Sequence, residues 1–174
     1  HPAQQRLIFE ELVAHQVSLL SRRAYIQQIE APRISASRQF AKQLLSSLPF
    51  EMTNAQKRVS KEIVQDLKLN KPMLRLVQGD VGAGKTLVAG VAACHALEDG
   101  WQVALMAPTE ILAEQHYLNF KKWFEPLGLS VSWLSGKQKG KARATAEQAI
   151  VDGTAHLVVG THALFQDLSL IHIS

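Results

Sequence analysis

Gly79, Gly84, Lys85 and Thr86 fall on the pattern G-x-x-x-x-G-K-T inside the stretch QGDVGAGKT, Gln78 to Thr86. Each residue type suits a polyphosphate. Gly79 permits the turn into the loop, and Gly82 and Gly84 let the main chain come close, so that successive N–H groups can converge on phosphate oxygens. A helix starting near Lys85 would add the positive end of its dipole. Lys85 would sit on the β- and γ-phosphates of a nucleotide, and Thr86 would offer its hydroxyl to magnesium. Asp80, Val81 and Ala83 complete the candidate cofactor-binding loop, Gly79 to Thr86. Lys85 and Thr86 are the candidate catalytic residues, because positioning and charge neutralisation carry phosphoryl transfer. The plain alternative is a glycine-rich turn with an incidental lysine, and a strand before and a helix after argue against it.

Other polar groups carry two readings each. Thr53 and Gln56 are spaced T-x-x-Q, as in a capping box. Pro108 and Thr109, in APTE, stand where a strand ends and a helix opens. Thr109 is expected to cap that helix, and its exposed hydroxyl would also suit a backbone phosphate. The run GKQKGKAR places Lys137, Lys139, Lys141 and Arg143 beside Gly136 and Gly140. It is either a solvated loop or a phosphate-neutralising one. Thr161 could cap a helix or hold a phosphate, and His162 is either a packed loop histidine or a ligand. Cys94 reads as a small buried residue, and Trp101, Trp123 and Trp133 as core. The histidines make no ligand-spaced cluster with Cys94, which gives no zinc site.

The elements that must position these groups follow from periodicity. Residues 4–31 read as a helix with an apolar stripe of Ile8, Leu12, Leu19, Ile26 and Ile29, broken by Pro32. A shorter helix spans 36–47, and a boundary falls near Leu48. Beyond it, 53–68 is helical, 73–78 (MLRLVQ) a strand, and 85–98 a helix stopping at Gly100. Then come a strand over 102–107, a helix over 109–124, a strand over 129–134, a helix over 141–151 and a strand over 156–160. Alternating strands and helices predict an α/β parallel sheet with helices on both faces.

The chain has 174 residues, 47% hydrophobic and 20% charged, an ordinary globular composition that excludes disorder. No run reaches the roughly 20 apolar residues a membrane span needs, and the first residues lack a signal-peptide layout. A single cysteine excludes an internal disulfide. The net charge of +4 permits an anionic polymer as partner without demanding one.

The stretches LVQGDVGAGKTLVA, VALMAPTEILAEQH, WLSGKQKGKAR and VVGTHALFQ, in this order, resemble the RecG family of superfamily 2 DNA helicases. The likeness runs from His1 to about Asp167. Transcription-repair coupling factors are similar at the loop but lack GKQKGKAR, and primosomal PriA helicases are similar more loosely. HPAQQRLIFEELVAHQVSLLSRRA resembles the segment that joins the wedge domain to the motor. The resemblance implies a RecA-like P-loop sheet, incomplete, over 48–174, preceded by an α-helical linker over 1–47. It implies ATP and Mg2+ as cofactors, Gln56 as a reader of adenine, and forked or branched DNA as partner. The DNA backbone would be held by Pro108, Thr109, Gly136, Lys137, Thr161 and His162. The implied activity is ATP-dependent remodelling of stalled replication forks and recombination intermediates. It would be cytoplasmic, beside the nucleoid and without a membrane, and completed by a wedge domain and a second RecA-like domain of the same protein. The alternatives are a coupling-factor-like DNA translocase, a small-molecule kinase on the same loop, and a nucleotide-binding module without motor activity. Ala83 departs from the family's usual serine, with nucleotide binding expected to survive. The end, FQDLSLIHIS, departs further: no acidic residue follows Asp167, where the family has an Asp-Glu strand that holds magnesium. The segment by itself is therefore expected to bind nucleotide without turning it over.

Overall fold

The computed structural model describes residues 2–26, 28–35, 38–136, 138 and 140–162. Three short strands, β1 (Val103–Met106), β2 (Val131–Leu134) and β3 (Leu157–Gly160), form a parallel sheet in the order β1-β3-β2. The last strand in sequence thus lies in the middle. Its residues explain why: LVVG has no polar side chain, and all four positions are buried. Successive side chains on a strand point to opposite faces. Leu157 and Val159 enter the larger core, and Val158 enters a second, smaller core on the other face.

Helices cover both faces, as the alternating pattern implies. The larger core takes Leu87, Val88 and Val91 from α4 (Lys85–Glu98) and Ala113, Phe120 and Phe124 from α5 (Glu110–Phe124). The smaller takes Ile150 from α6 (Lys141–Val151), with Ala146 and Ala149 packed against it. Gln102 fastens this layer, its side-chain amide donating to the carbonyls of Ile150 and Ala155 at 2.9 and 2.8 Å. Phe120 is fully buried, edge-on to Trp123 and tilted against Phe124, with ring centroids 5.5 and 5.4 Å away. Phe120→Ala is expected to destabilise the fold by about 3–5 kcal/mol, read as a lower denaturant midpoint with the slope unchanged.

Three expectations need correction. The strand over 73–78 does not form, since no strand among the described residues pairs with it. A strand exists only with a neighbour to share its ladder. Val77 packs against the core, but Leu74 and Leu76 are 71% and 82% exposed. What holds the segment is Arg75, which bonds Asp66 at 2.6 and 2.9 Å and Glu62 at 2.8 Å on α3 (Asn54–Leu67). The first helix, α1 (Pro2–Ile26), ends earlier than its pattern suggests, and its stripe stays largely exposed: Ile8 and Leu12 are each 58% exposed, Ile26 is only half-buried, and Leu7 and Phe9 on other sides are exposed as well. Apolar and charged residues are spread evenly around its axis, which leaves it no single face to bury. Trp101 is not core but 45% exposed, whereas Trp123 and Trp133 pack against the larger core. Ala41 and Leu44 of α2 (Gln39–Ser47) are buried in the same core as Phe120. We therefore propose a domain division between α1 and α2 rather than at Leu48.

Cys94 is fully buried, as expected, and that burial with Glu98 nearby pushes its thiol up to about 12, leaving it inert. Among the described residues, no helix is long and apolar enough to cross a membrane.

Candidate nucleotide site and strand-end edge

The glycine loop turns through a hydrogen bond from the Ala83 N–H to the Asp80 carbonyl, 3.1 Å. Gly82 and Gly84 have φ of +83° and +75°, a region that penalises any side chain. Gly84 caps α4, so the first free N–H groups of that helix open onto the loop. Lys85 folds back over it, its Nζ donating to the carbonyls of Gly79 and Asp80 at 2.5 and 2.8 Å. These are bonds that phosphate oxygens can replace, and they hold the ammonium where a polyphosphate would lie. The groups present fit the phosphates of ATP: an exposed lysine ammonium, glycines at positive φ and a helix N-terminus with no side-chain cap. For magnesium the loop offers the Thr86 hydroxyl, with phosphate oxygens and water to complete the shell.

Gln56 does more than its spacing alone conveyed. The capping box is complete: the Gln56 N–H donates to Thr53 Oγ1 at 3.3 Å, and the Thr53 N–H to Gln56 Oε1 at 2.8 Å. The same side chain also reaches the glycine loop, its Nε2 donating to the Ala83 carbonyl at 2.9 Å. That contact crosses 27 positions of sequence, and no local pattern could signal it.

The remaining candidates gather at the carboxyl ends of the strands. Met106 and Leu134 both stand level with Gly160, and the Ala107 N–H donates to the Gly160 carbonyl at 2.9 Å. Pro108 and Thr109, then Thr161 and His162, then Gly136, thus follow three neighbouring strands at one edge. In parallel sheets this is the edge where ligands bind. Thr109 caps α5, accepting from the Leu112 N–H at 3.3 Å, and its own hydroxyl proton stays available to a further acceptor. Ser135, unnoticed in the sequence, is buried and donates to Glu110 at 3.0 Å, tying the end of β2 to the start of α5. Lys141 and Arg143 lie in the first turn of α6, not in a loop, and Arg143 bonds Glu147 at 2.7 Å. Lys137 and Lys139 lie outside the described residues, as does everything from Ala163 to Ser174, including Asp167.

Ser130 and His156 come within 2.8 Å of each other, but they do not form a nucleophile and base. The Ser130 hydroxyl donates to the Thr154 carbonyl, and both residues sit at the amino ends of the strands, away from the carboxyl ends where the other candidates gather.

Comparison with known proteins agrees with this geometry. A family profile described as DEAD/DEAH box helicase matches residues 53–173. ATP-dependent DNA helicase RecG of Escherichia coli O157:H7 is 58% identical over 96% of the chain, and that of Pasteurella multocida 59% over 96%. The chain spans only 24% of either relative. A solved structure of RecG bound to a three-way DNA junction superposes with a TM-score of 0.83 at 38% identity, covering 94% of this chain and 22% of that one. The parallel sheet with helices on both faces is that of a RecA-like helicase domain. The chain belongs to the DEAD/DEAH box helicase family.

Proposed function

We propose that this chain supplies the nucleotide-binding part of an ATP-dependent DNA helicase that remodels stalled forks and recombination intermediates. The observation that carries the reading is the gathering of the candidate groups in one domain. A phosphate-cradling loop and three strand ends bearing Thr109, Gly136 and Thr161 belong to one small parallel sheet domain. ATP binds through Gly79 to Thr86, with magnesium on Thr86. The DNA backbone lies on the strand-end edge, with Lys137 and His162 as further contacts and no base-reading group to impose a sequence preference. Thr109 and Thr161 hydroxyls and the amino end of α5 donate to phosphates. The reading includes a wedge domain and a second RecA-like domain in the same whole protein, acting in the cytoplasm beside the nucleoid.

The amide of Gln56 supports ATP as the nucleotide. An amide has two donor protons and two acceptor lone pairs. Thr53 takes one lone pair and Ala83 one proton. One of each is left, which matches the N6–H donor and N7 acceptor of adenine. Guanine offers two acceptors there. Gln56→Ala is therefore expected to weaken ATP more than GTP, by roughly three- to tenfold for one such pair, measured by calorimetry on the full-length protein. Equal losses would remove Gln56 as a reader of the base.

The deciding experiment is ATP hydrolysis by the full-length protein with and without DNA. A helicase of this kind gives strong stimulation by forked DNA, abolished in Lys85→Ala. Equal stimulation by unbranched duplex would favour a coupling-factor-like translocase. No stimulation would leave a nucleotide-binding module.

A further inference from the structure

We propose that the groove between α2 and α3, floored by α4, binds a small organic anion: an apolar body carrying a polar substituent and two or more negative charges. The proposal stands apart from the nucleotide and DNA readings, since none of the groove's residues belongs to the glycine loop or to the strand-end edge.

Helices α2 and α3 both pack on α4 and leave between them a cavity of about 400 Å3. That volume lies in the roughly 300–1,000 Å3 range of small-molecule sites. Its floor is apolar, with Ala41, Met52 and Val91 all buried. Its rim is cationic and exposed, with Arg38 and Lys42 on one wall and Lys57 and Lys61 on the other. Each pair is one helical turn apart; the Lys42 N–H donates to the Arg38 carbonyl at 2.9 Å. Like charges at that spacing repel and cost a helix stability. Among the described residues Arg38, Lys42 and Lys61 make no ion pair, and Lys57 meets Glu51 at the loose distance of 3.7 Å. An anion between the walls turns that repulsion into attraction.

Two polar groups interrupt the apolar floor. Ser60 is 9% exposed, and its hydroxyl has no hydrogen-bond partner among the described residues. A helical serine can spend its proton on the carbonyl four residues back; this one does not, and an unmet buried hydroxyl carries a standing cost. His95 is 5% exposed, one turn beyond Val91 on α4. Burial, with the Arg38 charge nearby, lowers its affinity for a proton, so it presents a neutral ring with one donor and one acceptor nitrogen. Ser60 and His95 thus offer hydrogen bonds to a polar substituent inside an otherwise apolar slot. His95 follows Lys85 by ten residues, about 15 Å along the helix, so this slot is not the phosphate loop. An apolar floor also gives a DNA phosphate no partner.

The probe is 3-hydroxynaphthalene-2,7-disulfonate, a flat apolar body with two permanent charges and one hydroxyl. Its controls are 2-naphthol, which lacks the charges, and naphthalene-2,7-disulfonate, which lacks the hydroxyl. Each is titrated by calorimetry into full-length wild type, Ser60→Ala and the double variant Lys42→Gln with Lys61→Gln, all first checked for folding. Wild type should bind the probe one to one, about tenfold tighter than 2-naphthol, and more weakly as salt rises. The lysine variant should weaken the probe by about tenfold and leave 2-naphthol unchanged. In wild type the hydroxyl should be worth about fivefold, the gain from one hydrogen bond, and in Ser60→Ala it should be worth nothing. ATP affinity should stay at the wild-type level in both variants. Absence of saturable probe binding by wild type would overturn the site. So would probe binding that is indifferent to both variants, including the case where the lysine variant weakens forked DNA instead.

Discussion

Replacing Lys85 by alanine is expected to weaken ATP binding by the full-length protein by about 10- to 100-fold, the range for a charged hydrogen-bond donor, and to abolish DNA-stimulated hydrolysis. Two effects add. The ammonium is the cation that the loop itself brings to the β- and γ-phosphates. It also satisfies the carbonyls of Gly79 and Asp80, which lie at the entry to the turn. Without it those carbonyls face each other with no donor between them, and the turn loses its inner clasp. Calorimetry should register the loss as weaker affinity with the fold intact, because Lys85 is exposed and contributes nothing to either core. Unchanged affinity would rule out the loop as the phosphate site.

Gly84→Ala is expected to do comparable damage by a different route. The left-handed conformation at φ of +75° costs a non-glycine residue about 1–2 kcal/mol. The new methyl would also meet Gln56 Nε2 at 2.3 Å. The side chain can swing away, but doing so gives up the bond to Ala83 that orients the loop. The total is expected to be about 2–3 kcal/mol, seen as a fall of roughly 30- to 150-fold in ATP affinity. Because the same bond is lost in Gln56→Ala, the double variant should be much less than additive. Strict additivity of the two losses would mean that Gly84 and Gln56 do not act through one contact.

How far the sequence reaches depends on the range of the interaction concerned. Local rules did well. Lys85–Glu98 and Lys141–Val151 are helical over the expected residues, and Thr53 and Thr109 cap the helices their spacing assigned to them. The glycine loop is legible because its chemistry is written in consecutive residues. Non-local partnership is what the sequence hides. MLRLVQ has the composition of a strand, but a ladder needs a neighbour, and the alternation says nothing about where that neighbour is. The apolar residues of α1 fit helical spacing, yet spacing cannot tell what they would pack against. The Gln56–Ala83 bond, the Ser135–Glu110 bond and the Arg75 pairs with α3 join residues 27, 25 and 9 or 13 positions apart. Each is invisible until the chain is folded. The candidate site divides in the same way: its candidate residues are named by local sequence, and the contacts that hold them in place are not.

The pairing of β1 and β2 on either side of β3 has a metric consequence. Neighbouring strands are spaced about 4.8 Å apart, so the chain ends that follow β1 and β2 are separated by about 10 Å, with the end of β3 midway. One strand of B-form DNA advances about 3.4 Å per nucleotide. A DNA strand lying along that edge would cover about three nucleotides between the first grip and the last. The sheet's own hydrogen bonds keep that interval fixed. On the proposed helicase reading the edge is a gauge whose length is set by the strand spacing, and an advance along DNA would be counted against it in whole nucleotides.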